Sequence, residues 1–398
     1  MSIYRGCSRV FLAMSFALLA FLTGCGGTGD EFGNGGAGNG GGGSGPPGPP
    51  PETTVPTVTA MTPGEDSSAT GTNSKLTATL SEAMIPAMIT AMDPANLSNP
   101  ENFRLHNGVS YLPGTVSYDA TNHIAVFTPA AAFAPSTRYT ATIITGIKDL
   151  AGNPLTTDFA WCFTTAANPD GTPPSVTSTI PANAASDVAV NRKITATFSE
   201  DMNSSTLTSA SFTVTGPGPV SGTVTYVGRT AVFTPSNSLA SNTTYTARIT
   251  TGAMDLAGNA SQANAWTFTT GANADVIAPF RFSTNPANSA SGVAIDEPIR
   301  VTLSEPMDPA TLNTANFAVT GPGATLVIGT VAFDATNNTA TFTRINHPTT
   351  PAVIHTPSEP VSNLERGTTY TATLTTGAKD LAGNALAGNV VWSFTTAP

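Results

Sequence analysis

His347 and His355 stand eight residues apart and Glu359 follows four residues later. Two imidazoles and a carboxylate are ligand types that zinc accepts. Their spacing matches no standard site, and the stretch from Arg344 to Asn363 that holds them also carries four prolines. The three are therefore expected to serve as a partner-binding surface loop, and no metal is expected there. A second oxygen-rich pattern is Asp149-Leu-Ala-Gly-Asn153, which recurs from Asp255 to Asn259 and from Asp380 to Asn384. It offers too few oxygens for an EF-hand. Turn chemistry accounts for it better: Asp and Asn bond nearby backbone, Gly takes positive φ, and the Leu is expected to pack inward. Calcium between domains at Asp170 or Asp275 stays open. No nucleophile elbow, phosphate loop or paired metal motif occurs. The chain is accordingly expected to have no catalytic residues and no cofactor, and not to be an enzyme.

The three cysteines are Cys7, Cys25 and Cys162, so no even-numbered disulfide framework exists. Cys162 is expected on an outward strand face, as a thiol without a partner in the chain. Cys25 has a more specific context. Two arginines, Arg5 and Arg9, precede an apolar run of 13 residues from Val10 to Leu22. That run is too short to span a bilayer, which takes about 20 residues, but suits a signal-peptide core. It ends in Leu22-Thr-Gly-Cys25, which resembles the bacterial lipoprotein lipobox. The resemblance implies removal of residues 1–24 and lipidation of Cys25. It further implies sorting to the outer membrane in a two-membrane host, because residue 26 is Gly rather than Asp. Gly26 to Pro51 contains 13 Gly and 5 Pro. Such a segment cannot bury a core and reads as a disordered tether within residues 25–54.

The net charge is −10, and removing Arg5 and Arg9 leaves 13 basic against 25 acidic residues. This excludes nucleic acid held by phosphate neutralisation and adhesion to anionic lipid through a basic patch. The membrane partner is expected to be reached through the lipid on Cys25.

Beyond the tether the chain repeats itself. Trp161-Cys-Phe-Thr-Thr is followed by Trp266-Thr-Phe-Thr-Thr and Trp392-Ser-Phe-Thr-Thr. Leu76-Thr-Ala-Thr-Leu-Ser-Glu82 is followed by Ile194-Thr-Ala-Thr-Phe-Ser-Glu200 and Ile299-Arg-Val-Thr-Leu-Ser-Glu305. With the Asp-Leu-Ala-Gly-Asn runs, three motifs recur in one order three times. Apolar residues alternate with Thr and Ser at period two, as in half-buried strands. About seven short strands per copy predict an all-β fold of three tandem sandwiches, over residues 55–166, 173–271 and 278–397. In the middle copy Ile194, Ala196, Phe198, Phe212, Val214, Val224 and Tyr226 should face inward. So should Ala231, Phe233, Tyr245, Ala247, Ile249, Trp266 and Phe268. Each copy also places a Tyr six residues after an apolar anchor: Phe133 to Tyr139, Leu239 to Tyr245, Leu364 to Tyr370. That spacing resembles the tyrosine corner of immunoglobulin-like sandwiches. Pro-ended linkers, Ala166–Pro174 and Gly271–Pro279, suggest a semi-rigid string of beads.

On Pro181-Ala-Asn, Phe198-Ser-Glu-Asp-Met, Phe233-Thr-Pro, Thr243-Thr-Tyr-Thr-Ala and the two motifs above, the units resemble the SbsA-type bacterial Ig-like domain. The resemblance implies immunoglobulin-like β-sandwiches acting as spacers or adhesive modules in surface proteins. The copies differ in two loops. Met84 to Met92 reads as an insert whose methionines recur every four positions, so that a helical turn could present them while plugging one pole. The longer insert with His347, His355 and Glu359 falls at the pole of the C-terminus, the expected membrane-distal tip. The leading expectation is a structural or adhesive surface lipoprotein with a protein or glycan partner. The alternative is a carbohydrate-binding surface module, for which Tyr111, Phe280 and Phe282 are the uncommitted aromatics.

Overall fold

The computed structural model describes residues 54–91, 102–344 and 364–398. The first repeat folds into eight strands: β1 (Val58–Thr62), β2 (Ser67–Thr70), β3 (Leu76–Leu80), β4 (Phe103–His106), β5 (Gly114–Asp119), β6 (Ile124–Pro129), β7 (Arg138–Ile143) and β8 (Phe159–Thr165). They form two four-stranded sheets in the orders β1-β3-β6-β5 and β2-β8-β7-β4. Pairing is antiparallel except for β2 with β8. The same plan recurs as β9–β16 between Val176 and Thr270 and as β17–β24 between Arg281 and Thr396. The expected seven strands become eight because β2, Ser-Ser-Ala-Thr, has no apolar alternation to announce it.

Every residue expected to face inward in the middle unit is buried. Thr244–Ile249 shows why: Tyr245, Ala247 and Ile249 are buried while Thr244, Thr246 and Arg248 are exposed, as the two-residue strand period requires. Each unit has its own core, centred on a Phe between a Trp and a second Phe. In the middle unit Phe212 lies 5.8 Å from Trp266 and 5.6 Å from Phe233, centroid to centroid. The tyrosine corners are formed. The hydroxyls of Tyr139, Tyr245 and Tyr370 accept from the N–H groups of Ala134, Ala240 and Glu365 at 2.9, 2.8 and 2.7 Å.

A glycine opens the fifth strand of each unit because the ring beneath leaves no room for a side chain. A Cβ on Gly222 would stand 2.6 Å from the Phe233 ring and 2.6 Å from the Thr234 carbonyl oxygen. Gly222→Ala is expected to cost about 1–3 kcal/mol of the stability of the middle unit, read from urea unfolding.

Met84 does not belong to an insert. It is equivalent to Met202 and Met307, and all three are 1% exposed. A single 3₁₀ turn follows each, at Pro86–Met88, Ser204–Thr206 and Pro309–Thr311. Three residues are too few to stack methionines four apart. Met88 is half-buried and Met92 lies outside the described residues. With Ile89 also buried, the segment plugs the pole.

Nor are the units beads on a string. Ile124 and Val126, on the outer face of β6, are 4% and 3% exposed and pack into the core cluster of the second unit. Asn122 Oδ1 accepts from the N–H of Tyr226 at 2.6 Å. Ile328 of the third unit packs against the core of the first, and β1 contacts β21 (Gly329–Asp334). The linkers are short and Pro-ended as read, but the flanking domains hold them by hydrogen bonds and the chain coils back on itself.

Cys162 was expected outward and without a partner. Its side chain does leave the core, yet it is 2% exposed and disulfide-bonded rather than free. Glu65, which replaces the Asn183 and Asn288 of the other units, accepts from the Cys162 backbone N–H. His106 and His123 are half-buried.

Candidate functional site at the domain junctions

The two junctions are built alike. Asn73 and Asn191, each three residues before the third strand of its unit, clasp the linker that follows that unit. The Asn73 side chain donates to the carbonyl of Asp170 at 2.9 Å and accepts from the Asp170 N–H at 2.7 Å. Asn191 does the same with Asp275 at 2.9 and 2.8 Å. Two residues on, the N–H of Lys75 donates to the Leu256 carbonyl at 3.1 Å, and that of Lys193 to the Leu381 carbonyl at 2.8 Å. The Asp-Leu-Ala-Gly-Asn loop of each unit is therefore seated on the unit before it.

The loop is the expected turn. Asp255 Oδ1 accepts from the N–H groups of Ala257 and Asn259, and Oδ2 accepts from the Asn259 side chain, each at 2.8 Å. Gly258 takes φ +94°. The leucine, however, does not pack inward. Leu256 is 6% and Leu381 0% exposed, yet neither belongs to the core cluster of its own unit. Leu150, with no unit before it, is 70% exposed. Burial of this side chain comes from the neighbouring domain. At the second junction Lys193 adds an ion pair to Asp308 at 2.5 Å.

Each junction also gathers three carboxylates. Asp170, Glu200 and Asp255 bring oxygens within 4.8 Å of one another, and Asp275, Glu305 and Asp380 do the same. A cavity of about 490 Å³ beside the first group is lined by Gly71, Asn168, Asp170 and Glu200. The oxygens are closer than the ~5–5.5 Å of a retaining glycosidase pair, and Asp255 is fully engaged by its own loop. The groups could hold a cation, although one oxygen from each of three carboxylates is half or less of the 6–8 that calcium takes. The linker acids were legible in the sequence. Glu200 and Glu305 were missed, although the repeated Ser-Glu ending of the third strand pointed to them. Asn73 and Asn191 were missed too; their only signal was recurrence in two copies and replacement by Asp296 in the third.

Burial pushes the Glu200 carboxyl up to about 7, with help from the charges of Asp170 and Asp255 and a hydrogen bond to Asp170. Glu305 is raised by burial, then by Asp380 and Asp275. A raised acid holds its proton in the folded state. Its contribution is complete below about pH 4.5 and is lost as pH rises through about 7. Compared with Glu200→Gln, the wild type should therefore lose melting temperature between pH 5 and pH 8, in scans at fixed salt with a chelator present.

Cys25, His347, His355 and Glu359 lie outside the described residues. The end of that loop meets the C-terminus: the N–H of Gly367 donates to the Ala397 carbonyl at 2.9 Å. Tyr111 is half-buried, edge-on to His106 at 4.9 Å. Phe280 and Phe282 are 60% and 76% exposed.

The family model of the bacterial Ig-like domain matches residues 52–165, 170–270 and 275–396. The chain belongs to the bacterial Ig-like domain family. Its second and third Ig-like units, so matched, begin on the linker acids Asp170 and Asp275 that sit in the junctions. A comparison with curated proteins finds no match. Among solved structures, the N-terminal part of the bacterial S-layer protein SbsC is 17% identical over 56% of this chain and 44% of that one, with a TM-score of 0.21. A longer piece of SbsC is 13% identical over 86% and 54%, at 0.23. The LD-transpeptidase LdtMt1 is 17% identical over 41% and 62%, at 0.20. The chain thus spans about half the length of the SbsC structures it matches.

Proposed function

We propose that this protein is a structural or adhesive lipoprotein of the cell envelope, anchored through Cys25, in which the Ig-like units act as spacers presenting a membrane-distal tip. The supporting observation is the repeated clasp: Asn73 and Asn191 and the seated leucines spend the conspicuous residues of each junction on fixing one unit to the next. A fixed arrangement holds the tip at a set place relative to the other units, as a presenting module requires and as a hinged catalytic cleft would lack. The tip would be the pole where Leu364 and the C-terminus meet, with His347, His355 and Glu359 in the loop leading to it. The S-layer relatives lend no support beyond the sandwich itself.

Cys25→Ser should move the protein from the membrane fraction to the soluble fraction of its host, since stable anchoring needs acyl chains on that residue. Protease shaving of intact cells tests display: cleavage in the first-unit loops supports a surface position, and full protection a periplasmic one. Isolation of mature protein with Cys25 in a disulfide to Cys162 would refute lipidation, because a thioether occupies the same sulfur.

A further inference from the structure

We propose that the outer face of the third unit carries a binding site for a neutral saccharide chain, formed by the rings of Phe280 and Phe282 and the polar depression beside them. The site goes beyond the anchoring reading, since an unanchored chain would carry it equally.

The argument starts from one edge strand. β17 (Arg281–Asn285) borders its sheet and pairs with β19 (Ile299–Leu303). Ser283 lies opposite Thr302 and Asn285 opposite Arg300, residues that alternate with the buried Ile299, Val301 and Leu303 and so face away from the core. Phe280 exchanges hydrogen bonds with Ser304, one step further along the same face. The register slips between Arg281 and Ser283, which makes Phe282 the extra residue of a β-bulge. Bulges re-aim side chains.

The first two units have the same bulge and fill it differently. Thr59 and Thr177 occupy it, and their hydroxyls donate to the carbonyls of Thr79 and Thr197 at 3.2 and 3.1 Å. Phe282 has no hydroxyl to make that bond and leaves its ring 76% exposed. Phe280 is 60% exposed where the other units have Thr57 and Ser175. Both rings stand exposed at one end of an edge strand, open to a ligand.

Beside the rings lies a depression of about 280 Å³ lined by Ser283, Asn285, Arg300, Asp334, Asn337 and threonines. Arg300 is paired with Glu297 at 3.7 Å, and the Asp334 carboxylate accepts from the Asn337 side chain at 2.8 Å and keeps its charge. Around them stand hydroxyls and amides that can donate and accept. Rings that take a sugar's C–H face, next to neutral groups that take its hydroxyls, form the usual mix of an apolar surface with a few placed polar ones. A fourth Ig-like unit does not fit this face. The clasping Asn and the donating Lys N–H are here Asp296 and Pro298, and Thr341 stands where Val126 and Val232 are covered.

The test is affinity electrophoresis of the chain from Gly26 onward in gels containing a soluble β-1,4-glucan or a β-1,3-glucan, with calorimetry against an N-acetylglucosamine hexamer. Binding of at least one probe is expected. The double variant Phe280→Thr with Phe282→Thr should weaken it about ten-fold or more. Its melting temperature should not fall, because threonine or serine is native at those positions in the other units. Absence of binding to all three probes would overturn the site, as would equal binding by the double variant. Self-association that the double variant abolishes, without any probe binding, would identify a protein contact instead and would also overturn it.

Discussion

Trp266→Ala will destabilise the middle unit by about 3–5 kcal/mol, the cost of emptying a large buried ring site. Trp266 is 2% exposed and packs on Phe212. A domain of this size holds only about 5–15 kcal/mol in total, so a large share is removed. The loss should not stay local. Ile124 and Val126 of the first unit are buried in that same core, so its collapse uncovers them. The three tryptophans fall one to a unit, which makes the experiment readable. In the variant, fluorescence reports only Trp161 and Trp392, while circular dichroism reports all strands. Urea unfolding should show an early dichroism step with a partial fluorescence change from Trp161. Simultaneous unfolding of everything would mean one cooperative body. Trp266→Phe is the comparison. The Trp266 Nε1 is buried without a hydrogen-bond partner among the described residues, as are those of Trp161 and Trp392. Phe removes an unsatisfied donor along with some volume, so its cost should stay below about 1.5 kcal/mol.

The inward faces were legible because a strand shows its buried side in its own alternation. Ile194, Ala196 and Phe198 need no knowledge of the rest of the chain to be placed. The tyrosine corner was legible for the same reason, since Tyr245 and Leu239 lie six residues apart in one loop-strand unit. What was not legible depends on neighbours distant in sequence. Val126 and Thr341 occupy equivalent outward positions, and only the presence of the next unit explains why one is 3% exposed and the other half-exposed. Cys162 follows strand parity correctly, and its burial comes from contacts beyond its own strand. Met84 was misread because the motif Phe-Ser-Glu-Asp-Met was not carried across to Ser81-Glu-Ala-Met84, where the core Met stands at the same offset. The carboxylate groups were half legible: the linker acids stood out by position, whereas Glu200 joins them only through the way one unit is set against the next.

The three leucines of the Asp-Leu-Ala-Gly-Asn loops give the sharpest test of that setting. One residue, in one local sequence and one turn, is 70%, 6% and 0% exposed in successive units. Local forces cannot produce that difference, so it measures docking alone. Leu381→Asp places a charge in a fully buried contact beside the carboxylates of Asp380, Asp275 and Glu305. The junction should lose about 3–5 kcal/mol, the scale for an uncompensated buried charge. The third unit should stay folded, because Leu381 is outside its core cluster. Undocking would release the contacts of Ile328 with the first unit, and the radius of gyration in small-angle scattering should rise while circular dichroism at low temperature is unchanged. Leu150→Asp makes the same substitution where nothing is docked, and should change stability by no more than about 0.5 kcal/mol with no change in size. Equal behaviour of the two variants, whether both swollen or both unaffected, would mean that the leucines do not hold the units together and that the coiled-back arrangement has another cause.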